Sequence, residues 1–328
     1  MTNKILIIRF SSIGDIVLTT PVIRMAKEQI ENAEIHFLTK SSFRPILEKN
    51  PNIDKLHYVD KNLIEVVREL KKENFSFIID LHNNLRTARI KRILKRPSKS
   101  FNKLNVEKWL RVNFKQNKLP NLHIVDRYLD TLSDFKIVND KKGLDFFIDK
   151  KDEVDLNSLP EIFQKGYIGW VIGGSYFTKM LPAHKVIEIA RRVEKPIVLL
   201  GGPEDKDNGK LIASKIGSTV YNACGKYNLN QSASLVKQAE KILTNDTGLM
   251  HIAAAFNKSI LSFWGNTIPE FGMHPYFPQK PELSTLVEAK GLACRPCSKL
   301  GYKTKCPKTH FHCMEMVEVD IIVDWIEK

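Results

Sequence analysis

Lys241-Ile-Leu-Thr-Asn-Asp-Thr-Gly-Leu-Met-His-Ile-Ala-Ala-Ala255 reads as a buried strand that breaks into a helix through an Asn-Asp-Thr-Gly turn. Ile242 and Leu243 supply the apolar strand, and Gly248 lets backbone approach a ligand closely. Leu249 to Phe256 continue as a helix whose first amide groups have no internal partner, a start that favours phosphate. Asp246, Thr247 and His251 sit at this mouth, able respectively to accept from hydroxyls, to cap the helix, and to donate or accept toward a nucleotide. An ordinary N-cap at Asp246 or Thr247 would account for the same turn without any ligand.

Working outward, the same strand-turn-helix grammar recurs along the chain. Lys4 to Arg9 is a strand, Ile16 to Ile30 has the apolar period of a helix, and Glu34 to Leu38 is again a strand. Leu56 to Val59 and Phe75 to Asp80 add strands with a helix over Asn62 to Lys72 between them, and a further helix is expected near Val125 to Phe135. The pattern restarts at Tyr167 to Ile172, which ends in Gly173-Gly174, and continues through Ile197 to Leu200, Lys241 to Thr244 and Ser259 to Phe263. Alternation of this kind predicts parallel sheets in two nucleotide-binding-type halves. The charged stretch Asp149 to Pro160 has the polarity of a linker, which places domain boundaries at 1–155 and 156–328. Apolar residues at helical spacing from Met316 to Ile326 predict a terminal helix packed on one domain.

At 328 residues the chain fits two domains, and its apolar fraction of 43% is enough for two cores. No signal peptide precedes the first strand and no apolar run reaches the ~20 residues of a membrane span, so a cytoplasmic location is expected. The formal charge of +14 is concentrated: Arg86 to Lys118 holds twelve Lys or Arg against the single acid Glu107, with Trp109, Leu110, Val112 and Phe114 among them. Such a stretch suits nucleic acid, an anionic membrane surface or an anionic lipid-linked substrate, or is simply a solvated helical face.

Two further turns carry chemistry. Strand one ends in Arg9-Phe-Ser-Ser-Ile-Gly-Asp15, at the carboxyl edge where open α/β sheets bind ligands. A dinucleotide oxidoreductase would need Gly-x-Gly-x-x-Gly here, and only Gly14 is present. Asp15 is also a first-turn acid that complements a helix dipole. Gly173-Gly-Ser-Tyr-Phe-Thr-Lys-Met-Leu-Pro182 could bind a diphosphate but lacks the Walker spacing.

Taken together, Ile8 to Pro21, Gly173-Gly-Ser-x-x-Thr-Lys-x-x-Pro182, Gly201-Gly-Pro-Glu204 and Thr244-Asn-Asp-Thr-Gly-Leu-Met-His251 give the chain a specific, ordered likeness. It resembles glycosyltransferase family 9, the ADP-heptose:lipopolysaccharide heptosyltransferases. That resemblance implies a GT-B architecture, two Rossmann-like domains facing a central cleft, with acceptor on the first and nucleotide-sugar on the second. It implies inverting, metal-independent transfer of heptose from ADP-heptose to a hydroxyl of the lipopolysaccharide inner core, with no cofactor. Asp15 matches the general base, and Lys179 faces the departing diphosphate. Ser175, Thr178, Glu204, Asp246, Thr247, Gly248 and His251 are implied donor-binding residues, and Ser11, Ser12, Gly14 and Arg86 acceptor-binding ones.

An anionic lipid-linked saccharide acceptor would bring the enzyme to the inner-membrane surface as a cytoplasmic, membrane-peripheral protein, with no nucleic acid as partner. Two departures bear on the donor: Lys179-Met180-Leu181-Pro182 lacks an aromatic that relatives often have, and Asn266-Thr267-Ile268-Pro269 lacks their Asp. A different nucleotide-sugar, or a sugar-nucleotide epimerase of the same architecture, stays open, as does a basic nucleic-acid-binding protein. Cys294, Cys297, Cys306 and Cys313, with His310 and His312 nearby, are a candidate structural zinc set, against the alternative of reduced thiols. His36, His57 and His82 lie on or after apolar strands and read as structural.

Overall fold

The computed structural model describes residues 2–60 and 62–328. The backbone falls into two compact units: residues up to Lys103 with Leu122–Phe147, and Leu104–Asn121 with Ile148–Lys328. The first holds strands β1 (Asn3–Ile8), β2 (Ala33–Thr39), β3 (Lys55–Tyr58), β4 (Phe77–Asp80) and β5 (Ser98–Ser100), all parallel in the order β3-β2-β1-β4-β5. The second holds β6 (Ile168–Val171), β7 (Ile197–Leu200), β8 (Val220–Asn222), β9 (Lys241–Asn245), β10 (Ser259–Trp264) and β11 (Ser284–Glu288), parallel in the order β11-β10-β9-β6-β7-β8. Both are Rossmann-like sheets, as the alternation predicted.

The order of each sheet determines where a ligand can sit. In the first, the chain builds outward from β1 in one direction through β2 and β3, then returns to β1's other side for β4 and β5. The second reverses in the same way between β6 and β9. At such a switch point the flanking loops diverge and leave a crevice at the carboxyl ends of the strands. The turn after β1 lies there in the first unit, and the turns after β6 and β9 lie there in the second.

Central strands without a polar face build the cores. Ile5, Leu6, Ile7 and Ile8 of β1 are wholly buried, as are Ile242 and Leu243 of β9 and Leu261 and Phe263 of β10. Each such side chain contributes about 1.5–3 kcal/mol relative to exposure. The terminal helix Val319–Glu327 lays Ile322, Val323 and Ile326 into the second core. Its last carbonyls, Trp325 and Ile326, accept from the Lys241 ammonium at 2.8 and 3.2 Å, a cation at the negative end of the helix dipole.

Several elements differ from the sequence expectation for identifiable reasons. The helix expected over residues 16–30 is two helices, Ile13–Val17 and Thr20–Gln29. Thr19 and Thr20 hydroxyls donate to the Ile16 and Val17 carbonyls at 2.6 and 2.7 Å, and Pro21 has no amide to continue the ladder. The expected boundary near residue 155 falls inside the second unit, because the polar stretch before it is docked rather than free. Asp152 is buried and accepts from Asn228 at 2.9 Å, and Val154 N donates to Ser234 Oγ at 2.9 Å. Residues 122–147 return to the first unit through Arg24, which is buried and pairs with Asp140 at 2.8 Å, with Asp145, and with the Gly143 carbonyl at 2.9 Å. The helix Asn105–Phe114 belongs to the second unit, so the basic stretch is shared between the two.

Burial depresses His57 to about 4, with the neighbouring His36 and Lys55 adding to the effect. A histidine held neutral in the fold and free to protonate at its ordinary 6.5 when unfolded removes stability as pH falls from about 6.5 toward 4. Glu73, pulled down to about 2 by Lys55 and Lys4, acts in the lower window between its ordinary 4.5 and 2. In denaturant titrations, His57→Gln is expected to lessen the loss of stability between pH 6.5 and 4 by about 1–2 kcal/mol. An unchanged loss in that window would contradict this.

Candidate functional site

In the first unit the turn after β1 presents Asp15 in the first turn of the helix Ile13–Val17. Its Oδ2 accepts from Ser12 N at 3.1 Å and Ser12 Oγ at 2.7 Å, while Oδ1 pairs with Arg9 Nη2 at 2.7 Å. Burial pushes the Asp15 carboxyl up, but the Arg9 charge and the Ser12 bonds outweigh it and hold the group below the usual carboxylate range. Asp15 is therefore an anion throughout the physiological range. Arg9 is itself fixed by the carbonyls of Ser11 and Leu81, at 2.7 and 2.5 Å. Ser12 is exposed, Ser11 half-buried and Gly14 buried.

Two residues not assigned to this site by sequence stand beside it. His82 and Tyr128 each interact electrostatically with Arg9 and Asp15. Burial, then Arg9 and Lys103, depresses His82 to about 4, and burial raises Tyr128. His82 Nδ1 and the Tyr128 hydroxyl are buried with no hydrogen-bond partner. An orphaned buried polar atom costs about 1–3 kcal/mol, and two beside one ion pair mark a polar site rather than plain core. His82 follows β4 and Tyr128 lies in the helix Ile124–Leu129, so nothing in local sequence connects them to Asp15.

In the second unit the turns after β6 and β9 are tied together by Asn245, which is buried. Its Nδ2 donates toward the Val171, Ile172 and Gly173 carbonyls at 3.3, 3.0 and 3.2 Å, and its Oδ1 accepts from Leu181 N at 3.1 Å. A buried acid, Asp205, accepts from Gly202 N at 2.9 Å. A Cβ on Gly173 would lie 2.1 Å from Asp205 Oδ2, and one on Gly201 2.7 Å from the same atom. Gly173 and Gly201, the first glycine of each turn, are thus glycine because the Asp205 carboxylate packs against them.

Across this clasp Lys179 Nζ meets Asp246 Oδ2 at 2.5 Å, and Thr267 Oγ1 donates to the same oxygen at 3.2 Å. Thr247 occupies the N-cap position of the helix Gly248–Ala255 but makes no side-chain cap, and its buried hydroxyl has no partner. Asp246 is taken by Lys179, so the ordinary-cap explanation fails and the helix amides have no side-chain cap. Asn266, wholly buried, leaves both side-chain polar atoms without a partner. His251 is buried within the same helix, whereas Ser175 and Glu204 are exposed. Thr178 is buried and engaged elsewhere: its Oγ1 accepts from Tyr302 N at 2.8 Å, holding the cysteine-containing segment.

That segment also grips the loop after β10. Arg295 donates to the Gly265, Ala289, Trp264 and Thr267 carbonyls at 2.5–3.1 Å. Cys294 and Cys297 are half-buried, Cys306 and Cys313 buried, and all are free thiols. Burial pushes Cys313 up to about 12 and raises Cys297. Cys294 Sγ lies 4.0 Å from His310 Nε2. Among the described residues the group of three metal-binding side chains with ligand atoms within 4.8 Å of one another is His36, His57 and Glu73, which includes no cysteine.

The basic stretch is less open than its composition suggested. Lys91 pairs with the buried Asp80 at 2.9 Å, Lys99 with Asp134 at 3.4 Å, and Lys115 donates to the Pro296 and Cys294 carbonyls at 2.7 and 3.3 Å. Lys108 is buried with its ammonium 5.6 Å from the Phe271 ring centre. Arg86, Arg89 and Arg92 are exposed on the helix Leu85–Leu94. Val106, Trp109 and Phe114 are 66%, 55% and 59% exposed on or beside the helix Asn105–Phe114.

Replacing Asn245 by Ala leaves three buried carbonyls and the Leu181 amide without their shared partner. The expected cost is about 3 kcal/mol in unfolding free energy, measurable by denaturant titration; a change below about 1 kcal/mol would mean that the clasp is incidental.

The family pattern described as glycosyltransferase family 9 (heptosyltransferase) matches residues 63–302. Lipopolysaccharide heptosyltransferase 1 of Campylobacter coli is 29% identical over 289 residues, covering 80% of this chain and 84% of its own. A family 9 glycosyl transferase of Veillonella parvula superposes with a TM-score of 0.78 at 21% identity, covering 99% of this chain and 96% of its own. The E. coli ADP-heptose lps heptosyltransferase II superposes with a TM-score of 0.73 at 18% identity, covering 99% and 97%. The two doubly wound sheets are thus of the GT-B class, and the chain belongs to glycosyltransferase family 9, the heptosyltransferases.

Proposed function

We propose that the chain transfers heptose from ADP-heptose to a hydroxyl of a lipopolysaccharide inner-core acceptor, with inversion and without a catalytic metal. The observation that carries this reading is the Lys179–Asp246 pair at the uncapped start of the helix Gly248–Ala255. A diphosphate there would meet an ammonium and free backbone amides together. Taking up Lys179 would release Asp246, whose oxygens would then accept from sugar hydroxyls. The names of the relatives support this reading in part: the Campylobacter coli protein is a lipopolysaccharide heptosyltransferase and the E. coli one an ADP-heptose lps heptosyltransferase.

The chemistry follows from the two turns. The acceptor oxygen, bound at Ser11, Ser12 and Gly14, attacks the anomeric carbon as the bond to the diphosphate breaks, and its proton passes to Asp15. Held below the usual carboxylate range by Arg9 and Ser12, Asp15 is too weak a base to form a free alkoxide. Proton transfer must therefore accompany formation of the glycosidic bond, as general base catalysis requires. Lys179 and the amides at Gly248 stabilise the charge that develops on the leaving phosphate. Ser175, Glu204 and His251 are assigned to the nucleotide and sugar. Thr178 supports the turn through Tyr302 rather than by contact.

We further infer that Val106, Trp109 and Phe114, with the neighbouring cations, meet the membrane surface that carries the acceptor. Exposed aromatics beside Lys and Arg suit the headgroup region of an anionic bilayer. No helix among the described residues is long and apolar enough to cross a membrane. Sedimentation with anionic vesicles is expected to be lost in Trp109→Ala with Phe114→Ala; equal sedimentation of the variant would remove this surface from the reading.

Calorimetric titration of ADP, UDP, GDP and CMP tests the donor. ADP is expected to bind best, and Lys179→Ala to weaken it by about tenfold to a hundredfold. Preference for UDP or GDP would overturn the donor. Asp15→Asn is expected to lower kcat by about 10²–10⁴ while ADP binding is retained; a wild-type kcat in that variant would exclude Asp15 as the base.

A further inference from the structure

We propose that His36, His57 and Glu73 form a binding site for a divalent transition metal of the zinc class, set in the first unit and unrelated to the turn that carries Asp15. His36 lies on β2 and His57 on the edge strand β3, and Glu73 follows the helix Leu63–Lys72. His57 pairs in register with Leu38, two residues from His36, so the alternation of the pleat puts both imidazoles on one face. Their facing nitrogens, His36 Nδ1 and His57 Nε2, are 2.9 Å apart. One ligand atom from each of the three residues lies within 4.8 Å of the other two.

The hydrogen bonds around the pair prepare it for a metal. Glu34 Oε1 lies 2.8 Å from His36 Nε2, and a carboxylate that also accepts from Lys4 can only accept there. His36 therefore carries its proton on Nε2 and turns a lone pair on Nδ1 toward His57. A carboxylate behind a ligating imidazole is the arrangement that orients metal-bound histidines. His57 in turn donates the one proton held between the rings. A metal takes the place of that proton, which moves to Nδ1 of His57, so both rings stay neutral.

Two nitrogens on a tetrahedral ion at about 2.05 Å stand about 3.3 Å apart, so the gap must open by only about 0.4 Å. Phe75 packs edge-on to both rings, at 5.2 and 6.3 Å, and excludes water from that side.

Glu73 is the third ligand and the way in. Its two oxygens are held by Lys55 at 2.5 Å and Lys4 at 2.9 Å. The Lys55 side chain is 54% exposed and can swing into water, giving up Oε1 to the ion. A metal there would tie β2, the edge strand β3 and the Glu73 turn at one point, stabilising the folded state by mass action.

Cobalt(II) titrated into the full chain reads both the metal and its ligands. One ion per chain is expected, with visible ligand-field bands and no near-ultraviolet thiolate charge-transfer band. Binding should be lost in His57→Gln and in Glu73→Gln, weakened about tenfold to a hundredfold in Glu34→Gln, and unchanged in Cys294→Ser with Cys297→Ser. Zinc should raise the Tm of the wild type but not of Glu73→Gln, a half-buried position whose replacement does not test the core. No cobalt uptake, uptake indifferent to Glu73→Gln, or uptake carrying the thiolate band and abolished by the cysteine replacements would each overturn the proposal.

Discussion

The candidate donor turn depends on one buried amide. Asn245 ends β9 and, by donating toward three carbonyls at the end of β6 and accepting from Leu181, makes two loops from distant parts of the chain behave as one rigid body. A parallel sheet leaves the carbonyls and amides at its carboxyl edge without ladder partners, and burying them unpaired would cost several kcal/mol. Asparagine, with two donors and an acceptor on a short stem, satisfies four of these groups at once. Lys179 and Asp246 extend from opposite sides of that clasp, so their meeting at 2.5 Å follows from its geometry. Asp205 does the equivalent work between the two Gly-Gly turns, where any Cβ on Gly173 would collide with its carboxylate.

Charge is distributed so that each unit presents one prepared group. In the first, Arg9 is immobilised by two carbonyls and in turn keeps Asp15 ionised. In the second, Lys179 is held by a carboxylate beside unpaired helix amides. Polar side-chain atoms of His82, Tyr128, Thr247 and Asn266 are buried beside these groups without a protein partner. Those four lie around the two turns, on elements far apart in sequence.

The basic stretch shows what composition leaves out. Twelve cations against one acid suggested an anionic partner or a solvated helical face, and the structure adds that Lys91, Lys99, Lys108 and Lys115 are each engaged by an acid, a ring or carbonyls. The stretch is also divided, its first part completing one Rossmann unit and its helix Asn105–Phe114 packing with the other. Counting charges registers neither, because a lysine's partner is set by the fold rather than by its neighbours in the chain.

Much was legible from local pattern alone. The apolar strands, the Gly-Gly turns and the Asn-Asp-Thr-Gly start of a helix are short-range features, and they gave the two doubly wound halves and the residues at their switch points. Periodicity suffices there because each strand is buried along its whole length and each turn needs particular backbone freedom. Tertiary structure alone decided which residues meet: Asn245 with three carbonyls about seventy positions away, His82 and Tyr128 with Arg9 and Asp15, and His36 with His57 across two strands. It also turned Thr178 inward to Tyr302 and docked the polar stretch before residue 155 on its own domain. Pairings of that kind arise from closure of the sheets in space, and no property of the individual segments encodes them.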